Sequence, residues 1–353
     1  MKIYFALFLL PCVFYLLETV FNINYKKFYI YLSFFLISLV IGFRHEIGGD
    51  WENYLFTFNN SNNYNFLEYL KNNYKHSFLY SFNEWVFNNF NFSIHLLNFF
   101  CALIFSYGLI IFCKYQKNIY IGMLVSTPVL VISTGMGFTK QSVAIGVMLL
   151  TLSKYKSILK SFLLTLVAMS FHFPSFFIVF IHFFERKINK QTILYVAIIT
   201  LLAAVFIYDQ LLSYIQYYIL DKYQGKLSYL SEGAIYRLFL NSIPSVLFIF
   251  FYNKFRIVVY SKFWLLISIF NILLFILVVT RPELSSFADR IGLYFLPIQI
   301  LVFANLEYII SDQKILFRIN LITILYYLLI LIFWLNFSNH KAFWVPYQFK
   351  FLF

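Results

Sequence analysis

The residues of this chain that are able to do chemistry gather in a few short polar stretches. The first runs Gly42-Phe-Arg-His-Glu-Ile-Gly-Gly-Asp-Trp-Glu-Asn-Tyr54 and holds Arg44, Glu46, Asp50 and Glu52. Thr139-Lys-Gln-Ser142 supplies Lys140 and Gln141, and Phe171-His-Phe-Pro174 supplies His172. A last group contains Arg281, Glu283, Asp289 and Arg290. Arginine presents a planar fork that matches phosphate oxygens in pairs, and lysine adds a point charge. Arg44, Lys140, Arg290 and Arg281 are therefore candidate ligands for a phosphate-bearing group. Asp50, Glu46 and His172 are candidates for a base that takes the proton of a hydroxyl. Asp50 is favoured, since Gly48 and Gly49 beside it let the backbone approach a substrate closely.

Each of these residues also has an ordinary structural role open to it. Arg44 and Lys140 at the ends of apolar runs can simply snorkel to headgroups. Ser142 and Gly146 have the spacing of close helix packing. His172 can act as a helix cap, Gly48-Gly49 as a tight turn, and Asp50 as the N-cap of a helix starting at Trp51. Arg290 falls at the start of an apolar run, where a cation opposes the helix dipole and calls for an anion, either Asp289 or a ligand. Asp50 and Glu52 have the spacing of a carboxylate metal pair, but two acids alone make a poor site, and no metal or other cofactor is expected. Cys12, Cys101 and Cys113 lie in apolar runs, in neither a CxxC pair nor metal-ligand spacing.

The elements that must hold these residues are membrane helices. Of the 353 residues, 62% are hydrophobic and 12% charged, with a mean hydropathy of +0.78. A soluble domain is about 45–50% apolar and about 25% charged, so neither a soluble fold nor a disordered chain fits. A transmembrane barrel would alternate apolar and polar residues, whereas this chain has long unbroken apolar runs. The 23% of aromatic residues reads as compositional drift more than as chemistry. The expected fold is all-α, a single polytopic membrane domain of about 12 helices. Runs near the length needed to cross a bilayer core fall at about 3–21, 28–43, 93–113, 118–134, 138–153, 157–172, 173–184, 191–208, 237–252, 260–280, 288–310 and 315–336. The first has the look of a signal peptide but is followed by no small-residue cleavage site, so it counts as a span.

With the N-terminus outside, the short inner connections carry fifteen basic residues against the acids Glu185 and Asp312. That asymmetry sets the orientation. Two outer connections, 44–92 and 209–236, exceed what joining two helices requires. Each has an amphipathic pattern, in Phe66, Leu67, Leu70 and Tyr74 and in Leu211, Leu212, Ile215, Tyr218 and Ile219, expected to lie along the membrane surface. All four polar stretches then fall at the outer face, although the inner loops alone set the map. The net charge of +13 suits anionic headgroups or a polyanionic substrate, and no nucleic-acid-binding module is present.

Taken jointly, these groups meet the needs of one reaction: displacement of a lipid diphosphate from a sugar, with cations on the leaving group and a base for the incoming hydroxyl. A transporter of the same lipid-linked sugar would instead place ionisable groups at mid-membrane in broken or repeated helices. A ligase using the same donor, and a membrane acyltransferase using His172, are the further alternatives.

The ordered set Gly42-Phe-Arg44, Gly49-Asp50, Tyr54, Lys140-Gln141, Ala144, Phe171-His172, Asp289-Arg290, Tyr294-Phe295 and Pro346-Tyr347 resembles the EpsG family of exopolysaccharide and O-antigen (Wzy-type) polymerases. The family more often has Arg where this chain has Lys140, and a small residue soon after the His where this chain has Phe173-Pro174. The resemblance implies a glycosyltransferase of the bacterial cytoplasmic membrane. It would join undecaprenyl-diphosphate-linked oligosaccharide repeats, as donor and acceptor, at the outer, periplasmic face. It also implies substrate-positioning roles for Tyr54, Gln141 and Tyr294. The partners it implies are membrane lipid, a flippase that delivers the repeat and a chain-length regulator, and no nucleic acid.

Overall fold

The computed structural model describes residues 1–154, 157–179 and 230–350 together with the isolated positions 194 and 197; side chains of residues 70–76 are not described. The architecture is all-α. Helices α1 (Lys2–Thr19) and α2 (Lys26–Gly42) lead into a loop that carries α3 (Trp51–Asn60) and α4 (Phe66–Asn89). Next come α5 (Ile94–Lys114), α6 (Ile119–Ser126), α7 (Thr139–Leu152) and α8 (Ile158–Phe171). After the undescribed stretch the helices are α9 (Ala234–Phe250), α10 (Ser261–Thr280), α11 (Ser285–Gly292), α12 (Pro297–Phe303) and α13 (Gln313–Phe337).

Among the described residues, four helices, α1, α5, α10 and α13, are long and apolar enough to cross a membrane by themselves. A fifth crossing arises if the segments Pro282–Phe295 and Pro297–Phe303, bent by 41°, form one span. Four to five such helices are those of a multi-pass membrane protein. The runs expected at 118–134, 138–153, 157–172 and 237–252 appear as the shorter apolar helices Ile119–Gly135, Thr139–Leu152, Ile158–Phe171 and Ala234–Phe250. Of these, α7 and α8 have 14 residues each, about 21 Å at 1.5 Å per residue. The expected span 173–184 begins as a 3-10 helix, Phe173–Val179, and its remainder lies outside the described residues, as do nearly all of 191–208 and the amphipathic pattern of 211–219.

Helix α5 packs between α2 and α7. The last contact is glycine-to-glycine: a Cβ on Gly108 would lie 2.0 Å from the Gly146 carbonyl oxygen, so neither position accepts a side chain. This is the packing that the Ser142–Gly146 spacing anticipates. Helix α6 runs on as a π-helix, Thr127–Gly135, opened by Pro128, whose missing N–H breaks the α-helical ladder. It delivers the Met136 carbonyl oxygen against Gly48.

The connection 44–92 is not a flat surface helix. Ser77 is extended (φ −174°), so α4 is two helices joined at a kink. Phe66 packs on Trp85 with centroids 5.0 Å apart, and the Tyr69 hydroxyl donates to Glu84 at 3.1 Å. The first half thus folds onto its own second half, while Leu67 remains exposed.

Residues 338–350 return across the same face as a strap. Gln348–Phe349 pairs antiparallel with Arg44–His45, matching Arg44 to Phe349 and His45 to Gln348. Trp344 is buried; its indole N–H donates to the Ile132 carbonyl at 3.3 Å, and its own carbonyl accepts from Tyr4 at 2.6 Å. The Tyr347 hydroxyl donates to Val40 at 2.8 Å, and the Gly48 N–H donates to Phe343 at 2.9 Å.

Candidate active site

Four segments far apart in sequence meet at this end of the bundle, and the strap fixes two of them, at Gly48 and at Gly137. At Gly48 the backbone has φ +105°, and a Cβ there would lie 2.5 Å from the Met136 oxygen, so the turn before α3 requires glycine. The turn closes through the Trp51 N–H, which donates to Gly48 at 3.1 Å. It presents Asp50 without spending its carboxylate: Asp50 occupies the N-cap position of α3 but makes no side-chain capping bond. Instead its Oδ2 lies 3.8 Å from Arg290 Nη2. Burial holds the Asp50 carboxyl above its ordinary pKa, opposed by the charges of Arg290 and Lys140. A carboxylate shifted upward is a better proton acceptor than a solvated one.

Arg290 sits in the last turn of α11, where its cation suits the helix dipole, and not at the start of a span as the apolar run suggests. Its guanidinium carbon lies 4.6 Å from the centre of the Phe138 ring, a cation–π contact of about 0.5–2 kcal/mol. Its backbone carbonyl accepts from Gln141 Nε2 at 2.8 Å. That bond fixes the amide orientation of Gln141, whose buried Oε1 is then left without a hydrogen-bond partner. Such an acceptor costs about 1–3 kcal/mol unless something donates to it.

Lys140 extends from the first turn of α7 over two rings, 4.7 Å from the centroid of Tyr80 and 5.7 Å from that of Tyr54. Its backbone N–H reaches the Tyr54 hydroxyl at 3.5 Å. The Tyr54 hydroxyl is pushed up, first by burial and then by Asp50, while Lys140's backbone N–H, Arg290 and Arg44 pull it down. Asp50, Lys140, Arg290 and Arg44 therefore all act on one phenol.

Behind this group stands Glu84, 1% exposed, accepting from Thr57 at 2.9 Å and from Tyr69 at 3.1 Å. Burial raises its pKa, and Lys140 is the largest influence opposing the rise. His172 is the C-cap residue of α8, where its backbone N–H donates to Ala168 at 3.0 Å. Its Nδ1 is 2.6 Å from the Tyr294 hydroxyl, and the two rings stack at 5.9 Å.

Three expected site residues are engaged otherwise. Arg44 is 1% exposed, and its guanidinium donates to the Ile41 and Ile47 carbonyls and to Thr139 Oγ1. Those bonds are what a buried guanidinium requires, and they make Arg44 the tie between the Gly48 turn and the start of α7. Arg281 is 64% exposed in its side chain and faces Glu283 at 3.6 Å. Glu46, with φ +53°, turns its carboxylate to His45 at 3.5 Å. His45 in turn contacts His95 at 3.2 Å. Among the described residues no group of three or more His, Cys, Asp or Glu can hold a metal ion, and Asp50 and Glu52 form no part of one.

Reasoning from sequence missed Glu84, Thr139 and Arg237. The last grips Asp289 with two bonds of 2.7 and 2.6 Å. Arg237 opens an apolar run at the same expected face as Asp289, which is the only signal that could have paired them.

No curated protein and no solved structure matches the chain. A family model does match, over residues 27–349, a stretch that takes in every site residue described above and nearly all of the strap. With nearly its whole length inside that match, the chain belongs to the EpsG family.

Proposed function

We propose that the protein is a polysaccharide polymerase that joins undecaprenyl-diphosphate-linked oligosaccharide repeats at the outer face of the bacterial cytoplasmic membrane. The family, which is associated with exopolysaccharide polymerisation, supplies the reaction class. The observation that carries the site assignment is the meeting of Asp50 and Arg290 at 3.8 Å, from segments 240 residues apart, beside Lys140 and Gln141.

In the reaction, the hydroxyl of the acceptor sugar attacks the anomeric carbon of the donor glycan. A new C–O bond forms, the bond from that carbon to the diphosphate oxygen breaks, and its electron pair leaves with the diphosphate. Arg290 and Lys140 carry the positive charge that stabilises the leaving group. Asp50 receives the hydroxyl proton, with His172 as the alternative base. As diphosphate draws Arg290 toward itself, Asp50 loses its cation and becomes more basic when the proton must be taken. Gln141 Oε1 is an acceptor for a sugar hydroxyl. Arg44 holds the loop and α7 in register, and Tyr54 and Tyr294 position substrate and base.

The test is incubation of purified protein with a lipid-linked repeat unit and no nucleotide. A ladder of lengthened glycans is expected, reduced at least about a hundredfold in Arg290→Ala, the scale of losing one leaving-group cation. Translocation of the repeat without lengthening would instead establish a transporter.

A further inference from the structure

Asp289 precedes Arg290 in the chain, yet Arg290 turns to Asp50. The Asp289 carboxylate is held from α9. Arg237 donates Nε to Asp289 Oδ1 at 2.7 Å and Nη2 to Oδ2 at 2.6 Å, and the Ser231 hydroxyl adds a third bond to Oδ2 at 2.7 Å. The pair is largely sheltered, with side-chain exposures of 19% for Arg237 and 7% for Asp289. In such surroundings a carboxylate stripped of its partner is an uncompensated charge that seeks the nearest cation. The nearest in sequence is Arg290.

We infer that Arg237 is a positioning residue for the polymerase site: by occupying the Asp289 carboxylate from both sides, it keeps Arg290 directed at Asp50 and the departing diphosphate. This deepens, and rests on, the reading of Arg290 as a leaving-group ligand. A purely architectural pair would behave differently. If Arg237 and Asp289 only fastened α11 to α9, removing both would damage the site at least as much as removing one. If Arg237 guards Arg290, the lone loss of Arg237 is the harmful change, and removing Asp289 as well abolishes the competition.

The experiment measures the affinity of undecaprenyl diphosphate for the full chain in nanodiscs, with thermal unfolding as a fold control. Arg290→Ala is expected to weaken binding about tenfold, the effect of one charge-assisted contact. Arg237→Gln is expected to weaken it to a similar degree. Arg237→Lys, which still neutralises Asp289, stays within about threefold of the starting affinity, and the double variant Arg237→Gln/Asp289→Asn returns to that range. A folded double variant that binds as weakly as Arg237→Gln overturns the inference, as does an Arg237→Gln variant that binds normally. Should Arg237→Gln fail to fold, the double variant decides alone: recovery supports the inference, and affinity as weak as that of Arg290→Ala overturns it. Normal binding by Arg290→Ala would overturn the leaving-group reading itself, and the inference with it.

Discussion

At the scale of single residues, the site shows how burial divides like charges among different tasks. Asp50, Glu84 and Asp289 are all sheltered carboxylates near cations, yet only Asp50 lacks hydrogen-bond donors that occupy its oxygens. Thr57 and Tyr69 hold Glu84, and Arg237 with Ser231 holds Asp289. On the proposed mechanism, Asp50 is then the carboxylate that accepts the proton of the substrate hydroxyl. Because burial raises its pKa, the acid limb of turnover falls above the ordinary Asp value of about 3.9. Lys140 lowers that pKa, so Lys140→Gln is expected to move the limb to higher pH. Asp50→Asn is expected to abolish turnover while undecaprenyl diphosphate still binds. A limb that stays in place in Lys140→Gln would contradict the assignment of Asp50. These residue types were legible in the sequence because charge is rare in an apolar chain and stands out. Their partners were not. Arg237 meets Asp289 from 52 residues away and Thr139 meets Arg44 from 95, distances at which only packing decides.

At the scale of elements, the strap of residues 338–350 does for the site what a rigid scaffold does for a loop. The turn at Gly48 would have few partners of its own, yet it is fixed from one side by Phe343 and from the other by the π-helical end at Met136. Trp344 anchors the strap by filling the space against Gly137. Trp344→Ala should therefore cost about 3–5 kcal/mol in thermal unfolding, the scale of an emptied aromatic site. Tyr347→Phe, which removes one hydrogen bond to Val40, should cost about 1 kcal/mol. Equal effects from the two would show that the strap is held by its hydrogen bonds and not by the indole. Helix existence was legible here, since apolar runs mark it strongly. So were the ends of α7 and α8, expected at 138–153 and 157–172 and found at Thr139–Leu152 and Ile158–Phe171. The kink at Ser77 had no local signal, as no glycine or proline marks it.

At the scale of the whole molecule, many polar contacts lie at two ends of the helices, while Tyr327, Gln299 and Asn241 bond to one another within the helices' lengths. One end holds Tyr4 with Trp344, Asp50 with Arg290, His172 with Tyr294, and Glu232 with Asn339. The other holds Glu18 with Tyr120, Asn305 with Gln116, and Lys117 with Glu307. Cysteines introduced at Asn63 and Lys341 should accordingly react with an impermeant reagent from one side of the membrane. Those at Lys117 and Lys314 should react only from the other, and from the charge asymmetry of the loops the first side is expected to be the exterior. Reaction of Asn63 and Lys341 positions from opposite sides would break the map.

The central claim is that one end of this bundle gathers cations to receive a diphosphate. Its most direct test is a structure of the protein in nanodiscs bound to undecaprenyl diphosphate. Phosphate density is expected within hydrogen-bonding distance of Arg290 and Lys140, with Asp50 released from Arg290. Diphosphate density at the end that holds Glu18 and Lys117, or at Arg281 away from Asp50, would contradict it.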